Sequence, residues 1–180
     1  MTPTQILTDE HVLIVKMLDI VGMCAQRVKQ GNFDDLETIR LAVDFFKNYA
    51  DGFHHAKEEA ILFPLLMEKA NMGAPVRVFI DEHTQGRQFI KNITLSLDRI
   101  ESGDRDAAGL LVESIDGYSK MLAKHINKED LGLFKTTDKV LGAAEQSRLL
   151  AEFARVAKGK PGEEAKYHRL VEELAGKYGL

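Results

Sequence analysis

Two His-x-x-x-Glu pairs constrain this chain more than any other feature. The first, His54 and Glu58, lies in FHHAKEEAILFPLL over 53–66. Seventy-one residues later HINKEDLGLF, over 125–134, brings His125 and Glu129. Three further residues repeat at the same offset: Lys57, Leu62 and Phe63 recur as Lys128, Leu133 and Phe134. Residues i and i+4 share one face of a helix, so each pair points an imidazole and a carboxylate the same way. Phe46, Ala50, Ile61 and Leu65 flank His54 at helical spacing, and Tyr118, Met121, Leu122 and Leu133 flank His125. Both pairs therefore face inward. Two buried carboxylates facing each other are unfavourable unless protonated or bound to cations, and two divalent metals held between helices resolve the conflict.

The rest of the pattern supplies a scaffold. Apolar residues at three- and four-residue spacing predict a first helix from Thr8, or from Thr2-Pro3, to Gln30, where Gly31-Asn32 stops it. A second starts at Asp34 or Asp35 and runs to about Ala70, with a kink or restart expected at Pro64. A third covers 75–101 and a fourth 105–133, joined by the turn Ser102-Gly103-Asp104. No stretch reads as a strand. Four long helices with short links predict an all-α, antiparallel up-down-up-down four-helix bundle over residues 1–140. Gly142 opens a tail, 141–180, of two additional short helices. This extension is expected to pack on the bundle or on a partner, such as a second copy in a homodimer.

Each long helix carries one histidine on its apolar stripe: His11, His54, His83 and His125. His11 and His83 come early in their helices, His54 and His125 late, so antiparallel packing sets the four at one level. His55 and Glu59 are rotated by about 100° from His54 and Glu58, towards a polar stripe. They are either boundary residues or, for His55 above all, further ligands. His168 reads as a surface histidine. Imidazole and carboxylate donors without thiolate favour iron or manganese at a two-metal site, with zinc as an alternative.

Other classes are set aside by composition. A net charge of −4 argues against nucleic acid as a partner, which demands a basic surface. The longest apolar runs are four or five residues, too short to cross a membrane. The N-terminus lacks a basic stretch followed by an apolar run, so a cytoplasmic protein is expected. The single cysteine, Cys24, excludes an internal disulfide and is expected to be a buried, reduced thiol.

Taken together, Glu10-His11, HHAKEEAILFP over 54–64, DEHTQGR over 81–87 and the stretch 125–134 resemble the hemerythrin-like HHE cation-binding proteins. The resemblance covers residues 1 to about 140. It implies a four-helix bundle around a non-haem centre of two iron ions. His11, His54, His83 and His125 would be terminal ligands, and Glu58 and Glu129 bridging carboxylates. It also implies a protein that binds or responds to a small oxidant or diatomic ligand (oxygen, nitric oxide, peroxide) or to iron. Two departures matter. Oxygen-carrying hemerythrins have a second histidine four residues after that of the third helix, where this chain has Arg87. They end in His-x-x-x-x-Asp, whereas here the carboxylate comes at the fourth residue, Glu129, and Asp130 follows. Both point away from reversible oxygen carriage, towards the iron-sensing, nitric-oxide-responsive and iron–sulfur-repair branch, with His55 as a substitute nitrogen ligand. Tyr118, two turns before His125, is either a core tyrosine or a hydrogen-bond donor beside the metals. Arg87 is expected to neutralise charge near the site or to pair with an acid such as Glu10. Gly86 and Gly132 are read as positions of close packing or of room beside a metal. The alternative functions are an enzyme of peroxide decomposition or iron–sulfur cluster repair, and a non-catalytic, metal-stabilised interaction module.

Overall fold

A computed structural model describes all 180 residues, and the chain is helical throughout. Helix α1 is Pro3–Lys29. Thr2 caps it, accepting from the Gln5 amide at 3.2 Å, with Pro3 in the first turn where its missing N–H costs nothing. Helix α2 (36–67) is a composite: an α-helix Leu36–Phe45, a π-helical run Phe46–His55, a π-turn Glu58–Leu62 and an α-helical end Phe63–Met67. Helix α3 is Gly73–Glu101. A 3-10 turn, Arg105–Ala107, leads into α4 (108–140), built from Ala108–Lys128, a π-turn Glu129–Leu133 and Phe134–Val140. The tail forms α5, Ala143–Gly159, and α6, Glu163–Tyr178. Gly103, at φ +102°, makes the α3–α4 turn at a conformation that L side chains rarely adopt.

Four boundaries differ from the sequence expectation, the first being the end of α2 at Met67 rather than about Ala70. Helix α3 begins two residues earlier, α4 opens as a 3-10 turn, and α4 continues past Leu133 to Val140. At Pro64 the chain does restart an α-helix, with the proline in its first turn. Proline is not the cause of the preceding π-turn, because an equivalent turn forms at Glu129–Leu133, where Lys135 holds the corresponding position. What the two turns share is a buried glutamate at the start, which agrees with the concentration of π-turns at functional sites.

Helix α1 packs along α2 and α4, and α3 along α2 and α4. Their apolar faces form two separate clusters. The larger takes Leu13, Phe53, Ile90 and Ile126, and the smaller takes Leu7, Leu62, Phe79 and Leu133. In each long helix the histidines and glutamates singled out above fall at the changeover from one cluster to the other, with His125 one residue before Ile126, the last of the larger cluster on α4. Along α1 and α3 the smaller cluster comes first, and along α2 and α4 the larger does. The tail lies on the α1–α2 side. Leu149 and Phe153 of α5 join the smaller cluster, and Tyr167, Val171 and Leu174 of α6 join the larger. No helix is long and apolar enough to cross a membrane. Cys24 is buried, with its thiol 3.3 Å from the Tyr178 hydroxyl.

Candidate metal centre

The layer between the two clusters gathers seven residues. His11, His54, Glu58 and Glu129 form one group, with a donor atom of each within 4.8 Å of the others. His55, Glu58, His83 and His125 form a second. All seven are buried, and Glu58 and Glu129 are fully so. The imidazoles meet in pairs, His11 Nε2 to His54 Nε2 at 3.0 Å and His83 Nε2 to His125 Nε2 at 3.1 Å. Each glutamate reaches across both pairs. Glu58 Oε2 is 3.4 Å from His83 Nε2 and 3.8 Å from His54 Nε2. Glu129 Oε2 is 3.2 Å from His125 Nε2 and 3.4 Å from His11 Nε2.

The outer nitrogens are held just as regularly. Nδ1 of His11 meets Asp130 at 2.9 Å, that of His54 meets Glu10 at 2.9 Å, that of His83 meets Glu59 at 2.7 Å and that of His125 meets Glu82 at 2.9 Å. His55 Nδ1 lies 3.3 Å from Asp51. An ionised carboxylate only accepts, so Nδ1 carries a proton and donates, which leaves Nε2 as the ligating atom wherever the ring is neutral. Burial works against a charge on His11 and His125, but Asp130 and Glu129 raise His11 to about 9, and Glu129 and Glu82 raise His125, so one ring of each pair carries a proton that a metal would replace.

The arrangement repeats with the sequence. Lys57 donates to Glu10, and Lys128 donates to Glu82. Phe134 stacks on His11 (5.6 Å between centroids, 11° between planes), as Phe63 does on His83 (5.8 Å, 19°). Two features break the symmetry. His55 has no histidine counterpart, because Ile126 holds the matching position; it stacks on His83 at 3.8 Å and 14°. The tail also seals only one half. Lys57 is 2% exposed, over the Phe53 ring and near Phe153, whereas the Lys128 side chain is 44% exposed.

The charges of the layer are unresolved by protein groups alone. None of the four oxygens of Glu58 and Glu129 has a hydrogen-bond partner. Burial, and then the neighbouring Glu129, push the Glu58 carboxyl well above the ordinary range. Burial also works against the Glu129 charge, but His125 and His11 outweigh it and hold that carboxyl low. Burial and the adjacent His11 keep His54 neutral, and burial with His83 pulls His55 down to about 4. Neutral imidazole is the ligating form. Orphaned carboxylate oxygens facing the inner nitrogens of four histidines are a donor set that a metal would satisfy in place of the protons.

A comparison with protein families gives the same answer independently. The model described as the hemerythrin HHE cation-binding domain matches residues 2–137. The chain belongs to this family. No curated protein and no solved structure matches it significantly. Family membership and the two His/Glu clusters together fit a metal-binding protein of hemerythrin-like type.

Several expectations are corrected at the site. Arg87 does not meet Glu10, which belongs to the opposite half; it binds Asp51 at 2.8 Å and Glu59 at 2.6 Å. Glu59 is half-buried and supports His83 from outside. His55 is no boundary residue, despite the polar stripe behind it. Asp130 does not enter the layer; it accepts from His11 and Thr8. At Gly86 a Cβ would come 3.2 Å from Met121 Cε and 3.5 Å from Tyr118 Cε2, so the helices pack closely there, while Gly132 faces open space. The sequence reading gave Glu82 no role, took Glu10 only as a candidate partner of Arg87, and noted Lys57 and Lys128 only as part of the repeat. The Glu-His dipeptide on both α1 and α3 and the shared lysine of the repeat were the signals.

A cavity of about 370 Å³ opens on the unsealed half and reaches His55, His83 and His125. Tyr118 and Met121 line its wall. His168, on α6, is exposed, with its ring 6.4 Å from that of Tyr49.

Proposed function

We propose that this chain is a non-haem di-iron protein, built as an antiparallel up-down-up-down four-helix bundle over 1–140 with a packed tail over 141–180. The alternating order of the two apolar clusters along successive helices supports that topology. His11 and His54 would hold one iron, and His83, His125 and His55 the other, with Glu58 and Glu129 as carboxylates within reach of both. The observation that carries this reading is the pair of fully buried carboxylates, each touching one histidine of either pair and lacking any other partner. Two irons bound here would supply a redox-active centre for a small diatomic or peroxide ligand.

The chain's own residues do the rest. Five outer carboxylates fix the imidazole tautomers, Lys57 and Lys128 neutralise two of those carboxylates, and Arg87 neutralises Asp51 and Glu59. The apolar clusters above and below restrict water. A ligand enters by the cavity on the α3 side, because the tail closes the α1–α2 side. In this account the protein acts in the cytoplasm in sensing or stress response, without nucleic acid. The test is the optical spectrum of the reduced, iron-loaded protein before and after oxygen, nitric oxide or peroxide is added. A new absorption band with at least one of them supports the reading. A spectrum unmoved by all three refutes a small-ligand role.

A further inference from the structure

The cavity beside His55, His83 and His125 is far larger than a diatomic ligand needs. At about 370 Å³ it would hold roughly a dozen waters. It is also graded along its length. Near the imidazole layer lie the acids Asp51 and Glu82. Its walls are apolar, from Phe46, Ile90, Met121 and Leu122. Farther out stand Lys47 and Lys91, both exposed and neither with an ion-pair partner, although the other basic group of the cavity, Arg87, has two; Thr94 and Leu95 complete the lining beyond Lys91. Lys91 lies eight residues beyond His83 and Lys47 eight before His55. On α3 that separation is about 12 Å along the helix. The two lysines thus lie on neighbouring helices on the same side of the imidazole layer, about one apolar chain length along α3 from the proposed metals.

We propose that this cavity binds a medium-chain amphiphile with a single anionic head, such as a fatty carboxylate. Lys47 and Lys91 hold the head, and the chain runs down the apolar walls to the imidazole layer. The inner end offers the head no free cation, because Arg87 is taken by Asp51 and Glu59, and this fixes the orientation. Gly86 helps to keep the passage open, since a side chain there would crowd Met121 and Tyr118. The ligand class rests on the chain's own residues; only what the tail end meets rests on the di-iron reading.

The test is calorimetric titration of decanoate, decylamine and acetate into the iron-reconstituted full chain, with iron measured on the same samples. Decanoate is expected to bind once per chain, at least tenfold tighter than either control. The Lys47→Glu, Lys91→Glu double variant should weaken it by about tenfold with iron content unchanged, and Met121→Trp should block it. Acetate binding as tightly as decanoate would place the anion at the metals and overturn the proposal. Equal binding of decylamine, or no binding of decanoate to an iron-loaded chain, would overturn it too. Decanoate binding to a chain that takes up no iron would refute the di-iron reading and uphold this one.

Discussion

Replacing Glu58 by methionine should stabilise the metal-free protein, the opposite of what a large change in a packed core normally does. Glu58 is fully buried and neither of its oxygens has a partner. Leaving such a group unsatisfied costs about 1–3 kcal/mol. Methionine is unbranched, adaptable and apolar, so Glu58→Met removes that cost with little steric penalty. A gain of about 2 kcal/mol in a chain of this length corresponds to roughly 4–8 °C in Tm. Iron(II) reverses the order. A ligand at about 1,000 times its Kd stabilises the native state by about 4 kcal/mol, and the variant loses a bridging group. Thermal unfolding followed by circular dichroism, with chelator and then with excess anaerobic iron(II), reads both effects. The variant should melt higher with chelator, and wild type higher with iron. A variant that melts lower than wild type with chelator, or gains as much from iron, would refute the reasoning.

Other perturbations separate the two halves of the site and the tail. Lys57→Met should cost about 3–5 kcal/mol, because it strands Glu10 in a buried environment; Lys128→Met, at an exposed and otherwise equivalent position, should cost under about 1 kcal/mol, and urea unfolding compares them. His55→Ala should weaken one of two iron equivalents in a binding titration and spare the other, whereas His168→Ala should change neither. Burial opposes the Asp35 charge, but Tyr178, at 2.6 Å, and Arg27 outweigh it and hold the carboxyl below its ordinary value. The stability Asp35 contributes is therefore present above its unfolded pKa of about 4 and lost as pH falls through the lower folded value. Urea midpoints of wild type and Asp35→Asn should differ at neutral pH and converge in acid.

Periodicity and the repeat were enough to place the long helices and to bring His11, His54, His83 and His125 to one level, because a helix face follows from spacing alone. The spacing argument failed where the backbone leaves the α-helix. Three π-helical stretches at Phe46–His55, Glu58–Leu62 and Glu129–Leu133 change the angular step per residue, so a 100° rotation no longer separates His55 from His54 as inside from edge. The outer carboxylates were hidden for a different reason. Glu10, Glu59, Glu82 and Asp130 each serve a histidine on another helix, and such partners are set by packing rather than by local sequence. The sealing of only one half was equally out of reach, since nothing in α5 or α6 states which side of the bundle they cover.

The central claim is that Glu58 and Glu129 are held in the core to bridge two metal ions. Anaerobic titration of iron(II) into the metal-free chain, with bound iron counted per protein, tests it most directly. The account predicts two irons per chain for wild type and none retained by the Glu58→Met, Glu129→Met double variant. Saturation at one iron or fewer in wild type, or two irons still held by the double variant, would contradict it.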